Sequence, residues 1–194
     1  MKKILLSVIV LFSVCTLFAQ INKGQYMVGG SFSFKYDNGS YGDDLHVQTF
    51  NGIPKVGYFF SDKLAGGLNI SLTSYKNSSN GTTFTKSFGY SVSPFVRYYV
   101  LPASNRFNVF AEGSYGWGRA TSHQLLYGKD KYNTQSYSFS AGPVFFVTPN
   151  VAIEFNVGYY NNSVRDEKPA TGKVITKGIQ TGLGLQVHLG RGKR

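Results

Sequence analysis

The chain has 194 residues, a formal net charge of +11, and high counts of Tyr (14), Phe (16) and Gly (23). This length fits one domain, and a single cysteine, Cys15, excludes a framework of disulfides. A basic chain can contact nucleic acid, anionic lipid or lipopolysaccharide. Because the N-terminus predicts export, the cell envelope is the expected partner and nucleic acid is not.

Residues 1–19 have the composition of a secretory signal peptide. Lys2 and Lys3 form a basic start, an apolar run extends from Ile4 to Phe18, and Ala19 supplies the small residue at the end. The alternative is a membrane anchor, but a run of about 15 apolar residues is shorter than the ~20 that a spanning helix needs. The sequence therefore predicts cleavage after Ala19 and a mature domain over residues 20–194.

The mature chain alternates between apolar and polar residues with the period of β-strands. The clearest case is the last strand, residues 175–189, whose odd positions are mostly aliphatic and whose even positions are glycine, amide, hydroxyl or imidazole. The polar face carries too little charge for a soluble sheet and suits the interior of a narrow barrel whose apolar outside meets lipid. Eight strands are predicted, over residues 25–36, 47–60, 64–76, 83–101, 106–120, 134–148, 150–164 and 175–189.

The connections between these strands alternate in length. Three are short (61–63, 102–105 and 148–150), and four are longer and polar (37–46, 77–82, 121–133 and 165–174). Outer-membrane barrels have short periplasmic turns and longer external loops, and an even strand count returns both termini to one side. The sequence thus predicts an all-β fold, an eight-stranded antiparallel up-and-down transmembrane β-barrel in the cell outer membrane with both termini in the periplasm. Pro54, Pro94 and Pro143 lie within strands and predict bulges or local irregularities.

Aromatic residues on the predicted outward faces concentrate near the strand ends. Rings with one polar tip suit the two membrane–water interfaces. The alternative is the aromatic core of a soluble sandwich, which the weakly charged opposite face disfavours. The group near the predicted periplasmic turns is Tyr26, Tyr58, Phe60, Tyr98 and Phe107. The group nearer the predicted external loops is Tyr36, Tyr90, Tyr115, Trp117, Tyr137 and Tyr159.

Taken together, these patterns resemble the small outer-membrane β-barrel family that includes the OmpA-type and OmpX-type eight-stranded barrels, often called the porin family. The resemblance covers the whole mature chain. Its most local motif is a C-terminal assembly signal, for which the matching residues are Gln180, Gly182, Leu185 and Val187. The resemblance implies insertion by the barrel-assembly machinery, and the expected state in the membrane is a monomer.

Four charged residues fall on the inward faces of their predicted strands: Lys55, Arg97, Glu112 and Glu154. Each lies a similar distance from its periplasmic turn, so the sequence predicts a lumenal network of ion pairs at one height. Buried charges must be paired and hydrogen-bonded. One interpretation is a gate that opens when the pairs exchange, and the other is a plug that packs and rigidifies the barrel. The plug is favoured because side chains alone fill an eight-stranded interior.

No signal for catalysis or for a cofactor stands out in the sequence. His46, His123 and His188 are predicted to lie far apart, so no metal site is expected. The glycine-rich stretches precede no helix and are not phosphate-binding loops. Because no Ser-His-Asp set emerges, the sequence predicts a protein that is not an enzyme and holds no metal or other cofactor.

Three functional hypotheses follow. The first is an integral outer-membrane protein with a structural or surface-interaction role and a lumen plugged by polar and charged side chains. The second is a narrow gated conduit for small solutes or ions, and the third is a soluble lipocalin-like carrier. Outer-membrane lipid and lipopolysaccharide are the expected partners. Cations near the predicted external loops fit contact with lipopolysaccharide phosphates and equally fit solvation of the loops; they are Lys76, Lys86, Arg119, Lys129, Lys131, Arg165, Lys168, Lys173 and Lys177.

Overall fold

The computed structural model describes residues 21–41, 43–126, 128–167 and 172–190. The predicted signal peptide, residues 1–19, lies outside the described residues. Eight antiparallel strands follow one another in chain order and close into a barrel, as predicted. The strands are β1 (Tyr26–Tyr41), β2 (Asp43–Phe59), β3 (Leu64–Ser79), β4 (Thr82–Tyr99), β5 (Phe107–Gln124), β6 (Gly128–Phe146), β7 (Val151–Asp166) and β8 (Val174–Leu189). Over the same residues, no helix has both the length and the apolar character to cross a membrane.

The alternation of side chains between two faces confirms the predicted barrel pattern. On β4, Val92, Val96 and Tyr98 are exposed on the outside, whereas Arg97 and Tyr99 are buried inside. The same pattern holds around the barrel, because successive residues of a strand point to opposite faces. The outer surface around the middle of the strands is therefore apolar and aromatic, whereas the lumen carries short polar side chains and the charged residues Lys55, Arg97, Glu112 and Glu154.

The two ends of the barrel differ, and we name them by their connections. The terminal end carries the described chain ends and the short turns at residues 60–63, 100–106 and 147–150. The hairpin end carries the other four connections. One of these is a two-residue turn in which Asn80 (φ 47°) and Gly81 (φ 76°) both adopt positive φ. Asn-Gly is the preferred pair for such a turn, because its backbone twist matches that of the flanking strands.

The predicted long loops at the hairpin end are wrong in extent. β1 and β2 remain paired as far as Tyr41 and Asp43, and β5 and β6 as far as Gln124 and Gly128. The residues there are polar on both faces, so the apolar–polar alternation ends before the backbone ladder does. His46 and His123, predicted in loops, therefore lie in strands.

The three strand prolines interrupt the ladders without shifting them. Pro54 pairs with β1 but leaves a gap toward β3, and Pro94 and Pro143 leave gaps toward β5 and β7. Because proline has no backbone N–H, it cannot donate to the neighbouring strand. The irregularities predicted at these prolines are thus present as gaps in the pairing, and the described ladders keep their register across each one. The register shift that occurs lies instead between Asn77 and Ser78.

The seam that closes the barrel, between β1 and β8, is paired over a short stretch. The ladder joins Tyr26–Gly30 of β1 to residues 185–189 of β8. In the described part of the chain, residues 31–41 of β1 and 174–184 of β8 have no partner across this seam. Both strands nevertheless stay paired on their other sides with β2 and β7. The barrel is thus fully closed near its terminal end and open along this seam toward its hairpin end.

Candidate functional site in the barrel lumen

Four charged side chains meet inside the barrel at one level. Lys55 Nζ on β2 lies 2.8 Å from Glu112 Oε2 on β5, and Arg97 Nε on β4 lies 2.7 Å from the same oxygen. Arg97 Nη1 also lies 2.5 Å from Glu154 Oε2 on β7. Arg97 and Glu112 are direct partners across the β4–β5 ladder, so the strand register itself sets that contact. The side chain of Arg97 is 1% exposed, so its charge depends on these carboxylates rather than on water.

Polar groups of two more strands complete the network. Gln186 Nε2 on β8 donates to Glu154 Oε2, and the hydroxyl of Tyr99 donates to Gln186 Oε1 at 3.1 Å. The same hydroxyl lies 3.7 Å from Met27 Sδ on β1. Because Tyr99 and Gln186 reach β1 and β8, the network spans the lumen and ties together the paired part of the closing seam.

A layer of aromatic side chains lies between this network and the terminal end. The guanidinium carbon of Arg97 lies 3.9 Å from the ring centroid of Phe110, a cation–π geometry. The imidazole of His188 packs against Phe59 and Phe146, with centroid distances of 5.3 and 5.2 Å. Fully buried apolar residues fill the remaining space of this layer: Ile21, Met27, Ala65, Val144 and Ala152.

The segment before β1 covers the terminal end of the lumen. The backbone N–H of Ile21 donates to Ala103 O at 3.1 Å, and that of Gly24 donates to Phe59 O at 2.9 Å. The backbone N–H of Lys23 donates to Asp62 Oδ1 at 2.8 Å. These bonds hold the segment across the turns, with Ile21 fully buried beneath the aromatic layer. The segment therefore packs against the turns of the terminal end through these hydrogen bonds.

Above the network, toward the hairpin end, the lumen holds a cavity of about 560 Å³. Its floor includes Arg97 and Glu112, and its walls are mostly hydroxyl and amide groups. We call this cavity the vestibule. Wall residues include Ser71, Ser91, Ser114, Ser138, Asn156 and Asn162. Because most of these side chains are short, they leave the hairpin half of the lumen unfilled.

All four charged residues were predicted from the sequence, and the structure brings their side chains together. The hydrogen bond from Tyr99 to Gln186 was not predicted. Gln186 in the ion-pair network and His188 in the aromatic layer were not predicted either. A signal was present, because Gln186 lies on the polar face of β8 opposite Ala152, close to Glu154.

The four residues of the assembly motif divide between the two faces of β8. Gln180 and Gly182 border the vestibule. Leu185 lies outside and half exposed, and Leu185 and Val187 pair with Gly30 and Val28 of β1. The hydrophobic part of the motif therefore belongs to the closed seam and the polar part to the open seam.

A row of basic residues crosses four neighbouring strands at the hairpin end. Lys76 on β3 is the direct partner of Lys86 on β4, Lys86 is the partner of His123 on β5, and His123 is the partner of Lys129 on β6. Strand alternation puts all four on the outward face, since they share parity with the exposed apolar residues of their strands, such as Leu68 and Ile70 on β3. Like charges directly opposite one another are unfavourable unless an anion lies between them.

The aromatic rings form two belts on the outer surface. Near the terminal end, the ring centroids of Tyr26 and Tyr58 are 5.2 Å apart, and those of Tyr58 and Phe60 are 5.4 Å apart. Closer to the hairpin end, Tyr115 and Trp117 make an edge contact at 4.9 Å. The apolar wall between such belts matches the hydrocarbon band of a membrane barrel.

Metal-binding residues do not gather in the described residues, where no group of three or more His, Cys, Asp or Glu could hold a metal ion. His46 Nδ1 lies 2.7 Å from Asn38 Oδ1 and its ring stacks on Tyr36. His123 belongs to the basic row and His188 to the aromatic layer. The three histidines thus have separate surroundings.

Comparison with known families gives a match over nearly the whole chain. A family model described as the outer membrane protein beta-barrel domain matches residues 4–186. The chain belongs to this family. It is therefore an outer-membrane β-barrel protein, and its apolar outer wall faces lipid.

Solved structures show the same fold. The outer membrane protein OprG from Pseudomonas aeruginosa is 13% identical, with a TM-score of 0.54, covering 89% of this chain and 99% of that one. Neisserial surface protein A (NspA) is 18% identical, with a TM-score of 0.50, covering 85% of this chain and 97% of that one. At these identities the likeness concerns the fold alone. Among curated proteins, none matches the sequence.

Proposed function

We propose that this protein is a plugged outer-membrane barrel with a structural or surface-interaction role and no catalytic activity. The observation that carries the proposal is the ion-pair network around Arg97 together with the aromatic layer beneath it, which we call the closed layer. Two cations and two carboxylates neutralise one another there, and the aromatic layer beneath them leaves Phe59, Tyr99 and Phe146 essentially without exposed surface. Breaking such a network would leave a buried charge without a partner, so the closed arrangement is strongly favoured.

We place the hairpin end outside the cell and the terminal end in the periplasm. The predicted signal peptide and the short turns at the terminal end support this orientation, because periplasmic turns of such barrels are short. The protein is proposed to act as a monomer that the barrel-assembly machinery inserts, with Gln180, Gly182, Leu185 and Val187 as the assembly signal.

The proposed surface partner is lipopolysaccharide. In this orientation the basic row of Lys76, Lys86, His123 and Lys129 faces the outer leaflet. Phosphate groups between the opposed lysines would relieve their mutual repulsion, and each lysine near an anionic surface contributes about 1 kcal/mol. Lipopolysaccharide binding thus accounts for a charge arrangement that is otherwise unfavourable.

Binding of purified lipopolysaccharide to the barrel in nanodiscs tests this partner. Changing Lys86 and Lys129 to Gln should weaken binding about thirtyfold, on the basis of about 1 kcal/mol for each of the two charges. The matched control changes Lys23 and Lys63 to Gln, since both lie at the terminal end. Equal loss of affinity in the two variants would contradict the proposed site.

A gated conduit is the second candidate, and the vestibule is the observation that favours it. The cavity leads down to Arg97 and Glu112, so an exchange of ion pairs there, together with displacement of the aromatic layer beneath, would open a path toward the terminal end. A soluble lipocalin-like carrier does not fit, since a membrane-facing wall replaces the charged exterior that such a carrier needs.

Planar-bilayer recording of refolded wild-type protein separates the plug from the conduit. The plug predicts no reproducible conductance steps from protein that is folded by heat-modifiable gel migration. The Arg97→Ala variant should then lose stability as its main effect. Small regular openings in the wild type that change in Arg97→Ala would instead establish the conduit.

A further inference from the structure

The hairpin half of the β1–β8 seam has two strand edges that pair with no other strand among the described residues. The β1–β8 ladder ends at Gly30 and Leu185, and Gly30 has a φ of +141° that side-chain-bearing residues rarely adopt. Beyond this pair, β1 continues along β2 to Tyr41, and β8 runs along β7 from Val174. The separation therefore belongs to this one seam and not to fraying of either strand.

Open strand edges are costly in a membrane unless something satisfies them. Each backbone N–H or C=O without a partner in hydrocarbon costs several kcal/mol. Here both edges border the vestibule, which is lined by Ser31 on β1 and by Gln180 and Gly182 on β8. Water or a polar ligand in the vestibule can reach these edges, so the seam joins a polar cavity to the lipid phase.

Large apolar side chains flank the seam on the outer surface. Among the described residues, four of the five most exposed large apolar side chains lie on its two margins. They are Phe32 (86%), Ile179 (77%), Leu183 (70%) and Phe34 (67%). Each lacks the cross-strand neighbour that a closed seam would provide, so these margins offer an apolar contact surface beside a polar cavity.

We propose that the open seam and the vestibule form a lateral binding site for an amphiphile with one hydrocarbon chain and an uncharged, hydroxyl-bearing headgroup. The headgroup lies in the vestibule, where hydroxyl and amide side chains such as Ser31 and Gln180 supply hydrogen bonds. The chain leaves through the seam along Phe32 and Leu183. An uncharged headgroup is selected because the cations and carboxylates of the floor are already paired with one another.

This site does not depend on the lipopolysaccharide contacts or the structural role proposed above. The ligand rests above the closed layer, and the basic row lies on the outward face of β3–β6, away from the seam. Loss of one kind of binding therefore leaves the other testable.

The first test is photo-crosslinking with an octyl glucoside that carries a diazirine on its chain next to the sugar. The full barrel is reconstituted in phospholipid vesicles, and adducts are mapped by mass spectrometry. We expect adducts at seam and vestibule residues that unlabelled octyl glucoside removes by competition. Adducts confined to the outer wall, or adducts that resist competition, would overturn the proposal.

Paired glycine variants localise the site. Gly182→Leu puts a side chain into the vestibule beside Asn156, whereas Gly113→Leu projects outward beside Phe139 on the far side of the barrel. We expect Gly182→Leu to reduce competable labelling about tenfold, equivalent to ~1.4 kcal/mol, and Gly113→Leu to leave it unchanged. If Gly182→Leu does not fold, Ser31→Leu takes its place on the opposite edge. Full labelling in a folded seam variant would contradict the site.

Cross-seam cysteine pairs test the opening itself. Phe32→Cys with Leu183→Cys continues the register of the β1–β8 ladder into the open part, and Val28→Cys with Val187→Cys lies in the paired part. A disulfide needs Cα atoms within about 7 Å. Catalysed oxidation should join the second pair and not the first. Equally rapid bonding of both pairs would show a closed seam and overturn the proposal.

Discussion

The two halves of the barrel are built from the same strands but hold their lumens in opposite ways. In the terminal half, long side chains such as Arg97 and Phe110 are buried in the lumen, and the β1–β8 seam is paired. In the hairpin half, serine and glycine leave a cavity, and the same seam is open. The size of the inward residue at each level sets how much of the lumen is filled, so substitutions in the two halves should differ in cost.

The largest effect is expected for Arg97→Ala in the terminal half. This change leaves Glu112 and Glu154 in the lumen without their shared cation, and breaking a buried ion pair in this way costs about 3–5 kcal/mol. Urea unfolding in detergent micelles, followed by heat-modifiable gel migration, measures the loss. A cost below that of a surface salt bridge, about 1 kcal/mol or less, would show that the network does not hold this half together.

Gly30→Ala, at the boundary between the halves, should be the next most costly change. A side chain at φ +141° is strained, and its Cβ would approach Cα of Pro54 to 2.9 Å. Strain of this kind costs about 1–3 kcal/mol. Gly52→Ala is the control, since its Cβ would meet the Phe50 ring at 3.4 Å without a positive φ. Equal unfolding midpoints for the two variants would show that the positive φ of Gly30 does not matter at the end of the paired seam.

Tyr99→Phe removes one buried hydroxyl from the closed half, together with the bond that it accepts from Arg97 Nη1 and the bond that it donates to Gln186. The ring stays in the aromatic layer, but the hydroxyl no longer donates to Gln186, which should cost about 1 kcal/mol. The same unfolding assay applies, with Tyr98→Phe as the control because Tyr98 lies on the outer face of the same strand. A Tyr98→Phe loss as large as that of Tyr99→Phe would argue against a role for this hydroxyl.

The smallest effect is expected for Ser114→Ala in the hairpin half. Ser114 Oγ lies 2.8 Å from Ser138 Oγ across the β5–β6 ladder, and both residues line the vestibule. Water in the cavity can replace the lost partner, so the change should cost about 0.5 kcal/mol or less. A cost comparable to that of Tyr99→Phe would mean that the hairpin half is as tightly packed as the terminal half.

The fold could be predicted from the sequence because apolar and polar residues alternate with a period of two residues in every strand. Alternation assigned Val96 to the outside and Arg97 to the inside, and both assignments are confirmed. Hydropathy could not locate the strand ends at the hairpin end, since residues such as Asn77 and Thr121 continue the ladders without an apolar face. Backbone pairing there is set by the neighbouring strand and not by residue type.

The charged residues of the site could also be predicted, but not the limits of the closed layer. Inward parity and equal height identified Lys55, Arg97, Glu112 and Glu154. Gln186 was overlooked because an amide on a polar face has no distinctive pattern. The open seam could not be predicted either, because Phe32 and Leu183 follow the same alternation as residues in paired strands.

The most direct test of the closed terminal half is the reactivity of single cysteines with a water-soluble thiol reagent. Cys15 lies in the predicted signal peptide, so a mature chain without it offers a background free of thiols. Ser91→Cys lies in the vestibule, and Ala152→Cys lies in the fully buried layer beneath the ion pairs. The closed layer predicts rapid labelling at position 91 and protection at position 152 until the barrel unfolds. Equal labelling of the two positions in the folded barrel would contradict the plug.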